Sequence, residues 1–275
     1  MSYILYNNEV TKSTKTPLSI NDRGLQYGDG IFETMITYSG HIRFIKDHID
    51  RLKRGAKELQ LDLTDELLDP EYYFQVVKSL KKKNNIEGEC RIKLMLWRKE
   101  GGLYTPSGTE SNFMISIIPF EPKLETNALN VDFAESIKVP ITPVSFCKTL
   151  SSLTYTFAGL EKKKRELDDL ILFNYEGYVA ETISGNVFWV KDKVIYTPKV
   201  CVGCVSGIGR KNIIVYLESK GYKVRKVTAR KVDLLDADAL LTANVTGVTM
   251  IKKVGEKHYK IIDAWRKLFE QAYQY

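Results

Sequence analysis

The spacing of hydrophobic residues predicts two amphipathic helices in the first half of the chain. From Ile45 to Leu59, apolar residues recur every three or four positions, the period of a helix with one buried face. Arg51 falls off this apolar stripe, so its side chain is expected to be exposed. A second helix is predicted over residues 71–83.

Short runs of β-branched and aromatic residues predict strands around these helices. The strands are a run from Tyr3 and residues 31–38, 90–98 and 112–118. Together with the helices they predict a small N-terminal domain over residues 1–118. Residues 119–127 contain a proline and several polar residues, which is typical of an interdomain connector.

The rest of the chain predicts a larger C-terminal domain over residues 128–275. Strands are predicted at 129–136, 170–174, 178–180, 186–191, 193–196, 222–227 and 239–243, and helices near 152–167, 207–220 and 262–272. Lys148 lies in a proline-punctuated loop just before the first of these helices. The pattern as a whole predicts an α+β chain of two unequal domains.

Composition adds an expectation about location. The 275 residues are 44% apolar and 27% charged, as in ordinary globular proteins. No apolar run approaches the roughly 18 residues that a membrane span needs, and the first residues lack the pattern of a signal peptide. A cytoplasmic protein with no membrane partner is therefore expected.

The net charge of +7 raises the question of nucleic-acid binding. The basic runs at 81–83 and 162–165, however, lie at the polar ends of helical patterns, where solvated faces usually carry such residues. Nucleic acid is therefore not an expected partner.

Cysteine and histidine give little support for a metal site. The four cysteines are scattered, and the C-x-x-C pair Cys201 and Cys204 has no second pair or nearby histidine to complete a zinc site. The three histidines are not spaced as metal ligands. We expect two thiols in a turn and no metal.

Lys148 is the lysine with the most unusual surroundings. It lies between Val144-Ser145-Phe146-Cys147 and Thr149-Leu150-Ser151-Ser152-Leu153, an apolar and small-residue setting that predicts a buried amine. Burial lowers the pKa of a lysine, and a neutral amine can form an imine with an aldehyde. From these residues alone, a structural lysine remains the preferred interpretation.

Short motifs spread over nearly the whole chain change that interpretation. In chain order they are Asp22-Arg23-Gly24, Tyr27–Thr34, His48 with Arg51-Leu52, Lys148, Glu181–Phe188, Thr197-Pro198 and Gly207–Arg210. Their order and spacing resemble the class IV (fold-type IV) pyridoxal 5′-phosphate (PLP) dependent aminotransferases. This group holds branched-chain aminotransferases, D-amino-acid aminotransferases and 4-amino-4-deoxychorismate lyases.

The resemblance implies a fold and an assembly. It implies a two-domain α+β fold-type IV enzyme, with a small α/β N-terminal domain and a larger C-terminal domain with a β-barrel-like core. It also implies a homodimer that acts on a small amino-acid or amino-chorismate substrate.

The resemblance assigns the chemistry to two residues. Lys148 would form the Schiff base with PLP and then move a proton between the substrate and the cofactor. Glu181 would lie beside the pyridine nitrogen, where an anion raises the pKa of that nitrogen and keeps it protonated.

The resemblance also implies a phosphate site. The backbone N–H groups of Gly207, Ile208 and Gly209 would bind the cofactor phosphate at a helix start, and Arg51 would add a charged clamp. Asn244 and Val245 would form a turn on the same side. Many relatives carry threonine where this chain has Gly209, so Asn244 or Thr246 would have to replace that hydroxyl.

The substrate pocket is assigned to Tyr27, Arg98 and Leu153. Arg98 matches a position that binds the substrate carboxylate in some relatives, with an exposed strand-end arginine as the alternative. Leu153 stands where branched-chain enzymes usually have tyrosine, and Ile36 replaces an arginine common in that branch. No branch of the family matches fully.

Three functions are consistent with these motifs. The preferred one is transfer of an amino group between an amino acid and a 2-oxo acid. The alternative is elimination of pyruvate from aminodeoxychorismate to give 4-aminobenzoate, which would use the same lysine and glutamate. A non-catalytic scaffold with this fold is less favoured, because Lys148 and Glu181 are both present.

Overall fold

A computed structural model describes residues 2–121 and 127–273. The chain divides into two compact units, one of Met1–Pro122 with Cys147–Ser152 and one of Lys123–Phe146 with Leu153–Tyr275. The segment that carries Lys148 therefore belongs to the first unit, although the predicted boundary placed it in the second. Within the predicted connector 119–127, residues 122–126 lie outside the described residues.

The first unit is an antiparallel sheet with helices. Its strands are β1 (Tyr3–Tyr6), β2 (Glu9–Lys12), β3 (Gly30–Tyr38), β4 (His41–Ile42), β5 (Cys90–Arg98) and β6 (Ser111–Pro119), and its helices are α1 (Arg23–Tyr27), α2 (Ile45–Glu58) and α3 (Pro70–Asn84). The strand order is β2-β1-β6-β5-β3-β4. The predicted helices and long strands are confirmed, whereas α1 lies in a region predicted as a loop.

The alternation of buried and exposed residues along β5 shows how this sheet buries one face. Ile92, Leu94 and Leu96 of β5 are each fully buried, while the residues between them point to the other face. Leu52 and Ala56 of α2 are also buried, so the apolar stripe of α2 faces the core of this unit.

The second unit is built on a nine-stranded mixed sheet. Its strands are β7 (Leu129–Val139), β8 (Asp169–Asn174), β9 (Val179–Thr182), β10 (Asn186–Lys191), β11 (Val194–Pro198), β12 (Val224–Val227), β13 (Ala239–Asn244), β14 (Gly247–Val254) and β15 (Lys257–His258), and its helices are α4 (Leu153–Lys164), α5 (Ile208–Ser219), α6 (Lys231–Leu235) and α7 (Asp263–Gln271). The path runs β12-β11-β10-β13-β14-β7-β8-β9, and β15 pairs with β14. Neither β14 nor β15 was predicted.

This sheet curls back on itself. The terminal strand β9 carries Thr182, whose hydroxyl lies 2.9 Å from the hydroxyl of Thr242 in the central strand β13. The other end of β9 is bound through the Val179 N–H to the carbonyl of Ala229, at 2.8 Å. The predicted α+β fold with a barrel-like core in the larger unit is confirmed. Within residues 2–121 and 127–273, no helix has the length and apolar character needed to span a membrane.

Arg98 fastens the loop between β5 and β6. Its Nε donates to Asp29 Oδ2 at 2.9 Å, and its Nη1 donates to the carbonyls of Gly108 at 3.0 Å and Gln60 at 3.1 Å. Its Nη2 donates to the carbonyl of Leu59. Arg98 is 6% exposed, so the alternative of an exposed strand-end arginine is wrong: the side chain turns inward, where these acceptors lie.

Asp29 is shared with a second arginine. The Nε of Arg23 donates to Asp29 Oδ2 at 2.8 Å, and its Nη1 donates to three successive carbonyls, of which that of Leu103 is 2.5 Å away. One carboxylate thus balances two buried guanidinium groups, and both arginines hold the same loop.

Asp29→Asn is expected to lower the free energy of unfolding by about 3–5 kcal/mol, because two buried guanidinium groups would lose their anion. The measurement is urea-induced unfolding followed by circular dichroism. Glu110→Gln is the control, since it removes only the exposed ion pair between Lys99 and Glu110 in the same loop. Its effect should not exceed about 1 kcal/mol. Equal losses in the two variants would contradict the shared role of Asp29.

Candidate active site

The segment around Lys148 is held against the start of β3. The Phe32 N–H donates to the Lys148 carbonyl at 2.8 Å, and the Leu150 N–H donates to the Gly30 carbonyl at 2.9 Å. The Lys148 Nζ lies 5.5 Å from the centre of the Phe32 ring. The Lys148 side chain is half-buried, whereas the sequence predicted a buried amine. These two hydrogen bonds fix the backbone around Lys148 against β3.

Gly30 is required for this arrangement. A β-carbon at Gly30 would lie 2.4 Å from the Leu96 carbonyl oxygen and 2.8 Å from Leu150 Cδ1. Both distances are too short for any side chain, so only glycine lets the Lys148 segment and β5 approach β3 from two sides. The glycine of the motif Tyr27–Thr34 therefore has a structural purpose in placing Lys148.

A buried ion pair joins α2 to β3. Arg51 Nε donates to Glu33 Oε1 at 2.7 Å, and Arg51 Nη2 donates to Glu33 Oε2 at 2.6 Å. His48 Nδ1 lies 2.6 Å from the same Oε2. Arg51 is 3% exposed, so the expectation of an exposed side chain is wrong. The helical pattern misplaced it because a buried carboxylate on another element compensates its charge.

This environment keeps Glu33 ionised. Burial by itself raises the pKa of Glu33, but the Arg51 guanidinium and the hydrogen bonds from His48 and Arg51 outweigh it and lower the pKa to about 2. The carboxylate can therefore orient the Arg51 side chain over the whole physiological pH range. Glu33 belongs to the motif Tyr27–Thr34, but nothing in the sequence indicated that it pairs with Arg51.

In the second unit, Glu181 is a buried carboxylate with oriented donors. It is 3% exposed on β9. The Tyr155 hydroxyl donates to Oε1 at 2.7 Å, and the Val205 N–H donates to Oε2 at 3.1 Å. Burial and the neighbouring Glu181 charge both raise the pKa of Tyr155, which keeps its hydroxyl a donor. Tyr155 could not be found from the sequence, since its partner Glu181 lies 26 positions further along the chain.

The start of α5 is packed closely against its neighbours. A β-carbon at Gly207, the N-cap, would lie 1.9 Å from Asn186 Oδ1. Arg210 binds the end of β11 through Nε to Thr197 Oγ1 at 3.1 Å and through Nη2 to the Pro198 carbonyl at 2.7 Å. The motifs Thr197-Pro198 and Gly207–Arg210 thus meet. The amides of the first helical turn, where Ile208 and Gly209 lie, have no acceptor in a preceding turn and favour an anion.

The turn from β13 to β14 lies beside this helix start. The Asn244 side chain donates to the Ser184 carbonyl at 3.0 Å and accepts from the Thr246 N–H at 2.8 Å and hydroxyl at 2.6 Å. A β-carbon at Gly209 would lie 2.8 Å from the Asn244 carbonyl oxygen. The second unit therefore brings Gly207, Ile208 and Gly209 together with Asn244 and Val245. The Thr246 hydroxyl is already donated to Asn244.

The residues assigned to the substrate pocket lie on three different elements, α1, β5 and α4. Tyr27 is half-buried at the end of α1, with the Arg23 guanidinium 4.7 Å above its ring and the Tyr104 ring 6.0 Å away. Leu153 begins α4 and is 67% exposed. All three side-chain nitrogens of Arg98 donate to groups of its own unit, which leaves it poorly suited to a substrate carboxylate.

Metal ligands do not cluster in the part of the chain that the structure describes: it holds no group of three or more His, Cys, Asp or Glu side chains able to bind a metal. Of the C-x-x-C pair, Cys201 is exposed and Cys204 is buried, and neither forms a disulfide.

Known proteins are similar to this chain over most of its length. The family model described as amino-transferase class IV matches residues 30–254. An aminodeoxychorismate lyase from Vibrio harveyi is 29% identical over 90% of this chain and 91% of its own length. A putative branched-chain-amino-acid aminotransferase from Methanocaldococcus jannaschii is 30% identical over 86% of this chain and 82% of its own.

A solved structure shares the fold. A hypothetical aminotransferase from Mycobacterium tuberculosis, determined in its PLP-bound form, superposes with a TM-score of 0.85 at 18% identity. The match covers 99% of this chain and 99% of that one.

Glu33→Gln is expected to lower the free energy of unfolding by about 3 kcal/mol at neutral pH, because Arg51 would lose its buried anion. The folded pKa of Glu33, about 2, lies below the usual 4.5. The stabilisation is therefore full above the unfolded pKa and is lost as the pH falls from about 4.5 towards 2. Urea unfolding of the parent protein and of Glu33→Gln is measured from neutral pH to about 3.5. The difference between their free energies of unfolding should become smaller as the pH falls.

Asp50→Asn on the same helix is the matched control. It removes an ion pair with Arg54 in which both side chains are more than half exposed. We expect a change of at most about 1 kcal/mol. If the difference in free energy of unfolding between Glu33→Gln and the parent protein stayed constant down to acid pH, the low pKa of Glu33 would be contradicted.

Proposed function

Because the chain belongs to the class IV aminotransferase family, a family of PLP-dependent enzymes, we propose that it moves an amino group between an amino acid and a 2-oxo acid. The observation that carries the proposal is the family match over residues 30–254, which spans Lys148 and Glu181.

Lys148 is proposed as the residue that holds the cofactor covalently and moves the proton at its Nζ. PLP supplies an aldehyde that links to amines and a ring that accepts the electrons released at the substrate carbon. The backbone pairing with β3 fixes where the Lys148 side chain begins, and this limits the positions that its amine can reach. A fixed base near its proton donor is what general base catalysis requires.

Glu181 is proposed as the partner of the pyridine nitrogen. The Tyr155 hydroxyl and the Val205 N–H limit the rotation of its carboxylate, so one geometry is set before any ligand binds. An anion at that place favours the protonated ring nitrogen. Tyr155 is therefore a positioning residue for Glu181, and it acts without touching the reacting atoms.

Gly207, Ile208 and Gly209, with Asn244, Val245 and Arg51, are proposed as the residues for the phosphate. The chemistry fits the group, because the amides of Ile208 and Gly209 at the helix start and a guanidinium are the donors that phosphate prefers. The Gly207 N–H already donates to the Val205 carbonyl at 2.9 Å, so Gly207 would contribute through its lack of a side chain. Glu33 orients the Arg51 guanidinium by two hydrogen bonds. The absence of side chains at Gly207 and Gly209 lets neighbouring groups pack against the first turn of α5.

A second function is favoured by one observation: the similarity to an aminodeoxychorismate lyase over 90% of the chain. Pyruvate elimination would use Lys148 and Glu181 in the same way, with a different fate for the released electrons. The residues that would separate the two reactions are those of the substrate pocket, for which Tyr27 and Leu153 remain proposals.

We also propose that the protein is a cytoplasmic homodimer acting on a small amino-acid or amino-chorismate substrate. Leu103 and Tyr104 in the β5–β6 loop are 75% and 92% exposed. These two adjacent apolar side chains are the surface that we propose the second chain covers, since exposed apolar patches mark protein–protein contacts.

Borohydride treatment of the PLP-loaded protein is expected to fix the cofactor on Lys148, identified by peptide mass spectrometry. Lys148→Ala should abolish the adduct. Lys138→Ala is the matched control, because Lys138 also lies over a phenylalanine ring, with its Nζ 5.0 Å from that of Phe173. An adduct on another lysine of the parent protein, or none after loading, would refute the role of Lys148.

The reaction itself is tested with a panel of L- and D-amino acids plus 2-oxoglutarate, followed by detection of glutamate. Transamination predicts glutamate formation that requires the 2-oxo acid. In a separate incubation, aminodeoxychorismate alone should give no product. Release of pyruvate and 4-aminobenzoate without any amino acceptor would replace transamination by the lyase reaction.

A further inference from the structure

The space beside Gly209 is filled by a side chain from the C-terminal end of the chain. A β-carbon at Gly209 would lie 2.5 Å from the hydroxyl oxygen of Tyr273. That is shorter than any ordinary contact, so the Tyr273 hydroxyl and a side chain at position 209 exclude each other. Many relatives carry a threonine hydroxyl at position 209. In this chain the Tyr273 hydroxyl, from a different part of the fold, reaches the first turn of α5 instead.

Several contacts hold Tyr273 in this place. Just before it, Phe269 of α7 is fully buried, and its ring packs edge-on against Phe188 of β10 with 5.2 Å between the ring centres. The side chain of Gln271 accepts from the Tyr216 hydroxyl of α5 at 2.6 Å. Tyr273 itself is 7% exposed. Its reach toward Gly209 thus follows from the docking of α7.

The Tyr273 hydroxyl binds the turn beside α5. It donates to the Asn244 carbonyl at 2.5 Å, with the Gly247 carbonyl 3.4 Å away. Since a trans peptide is planar, holding the Asn244 carbonyl also sets the direction of the Val245 N–H, which points the opposite way. One hydroxyl therefore restrains the peptide between Asn244 and Val245, two residues proposed for the phosphate site.

We infer that Tyr273 is a positioning residue of the cofactor phosphate site: its hydroxyl occupies the space left by Gly209 and holds the Asn244–Val245 peptide beside the start of α5. This inference rests on the proposed function, in which those residues bind the PLP phosphate. It assigns the C-terminal end of the chain a part in cofactor affinity. Tyr273 acts through Val245 and need not touch the cofactor.

The test compares the affinities of the full-length apoprotein for PLP and for pyridoxal, which lacks the phosphate, by titration of protein fluorescence. Tyr273→Phe removes only the hydroxyl. It should weaken PLP binding about five- to tenfold, as expected for one hydrogen bond, and leave pyridoxal binding unchanged.

Two further variants separate a role of Tyr273 in the phosphate site from a general role in docking α7. Tyr216→Phe loses the contact between α5 and Gln271 but not the one with Asn244, and should bind PLP as the parent does. Gly207→Ala changes the N-cap and should lower the preference for PLP over pyridoxal whatever Tyr273 does.

If Gly207→Ala lowers the preference for PLP over pyridoxal and Tyr273→Phe does not, the inference about Tyr273 fails while the phosphate site stands. If neither lowers it, the proposed phosphate site fails as well. An equal loss of PLP and pyridoxal affinity in Tyr273→Phe, or the same defect in Tyr216→Phe, would show a general role in docking α7 and would also overturn the inference. Thermal unfolding of each apoprotein shows whether α7 still docks.

Discussion

The buried ion pair between Glu33 and Arg51 is the interaction on which the first unit's part of the site depends. It ties α2 to β3 through two hydrogen bonds, and β3 in turn binds the backbone of Lys148. A buried guanidinium is costly unless a carboxylate compensates it, so these two residues are required together. Their pairing gives the candidate cofactor arginine one orientation and keeps β3, the strand that holds the Lys148 segment, in place.

In the second unit, the backbone of Val205 connects Glu181 with the start of α5. The Val205 N–H binds Glu181 at 3.1 Å, and the Val205 carbonyl accepts from the Asn186 side chain at 2.8 Å. Asn186 is also the residue that a side chain at Gly207 would strike. The carboxylate proposed for the ring nitrogen and the helix start proposed for the phosphate are thus held by neighbouring residues of one segment, which helps to fix the distance between them.

Much of the fold followed from periodicity. The stripe from Ile45 to Leu59 predicted α2 to within a residue of its observed end at Glu58. Short or irregular elements were missed for physical reasons. The helix α1 contains Gly24, a weak helix former, which is needed because a β-carbon there would lie 2.7 Å from the Trp97 ring. In β14, the adjacent lysines 252 and 253 interrupt the alternation that marks a strand.

The sequence by itself determined the family and the candidate lysine and glutamate, because these depend on residue identities in a characteristic order along the chain. Only the tertiary structure decided that Arg51 is buried, that Tyr155 orients Glu181, and that Tyr273 stands beside Gly209. Tyr155 lies 26 positions from Glu181, and Tyr273 lies 29 positions from Asn244, whose carbonyl it binds. Local periodicity reports which face of an element is buried, whereas the partner of a buried polar group is chosen by which elements the folded chain brings together.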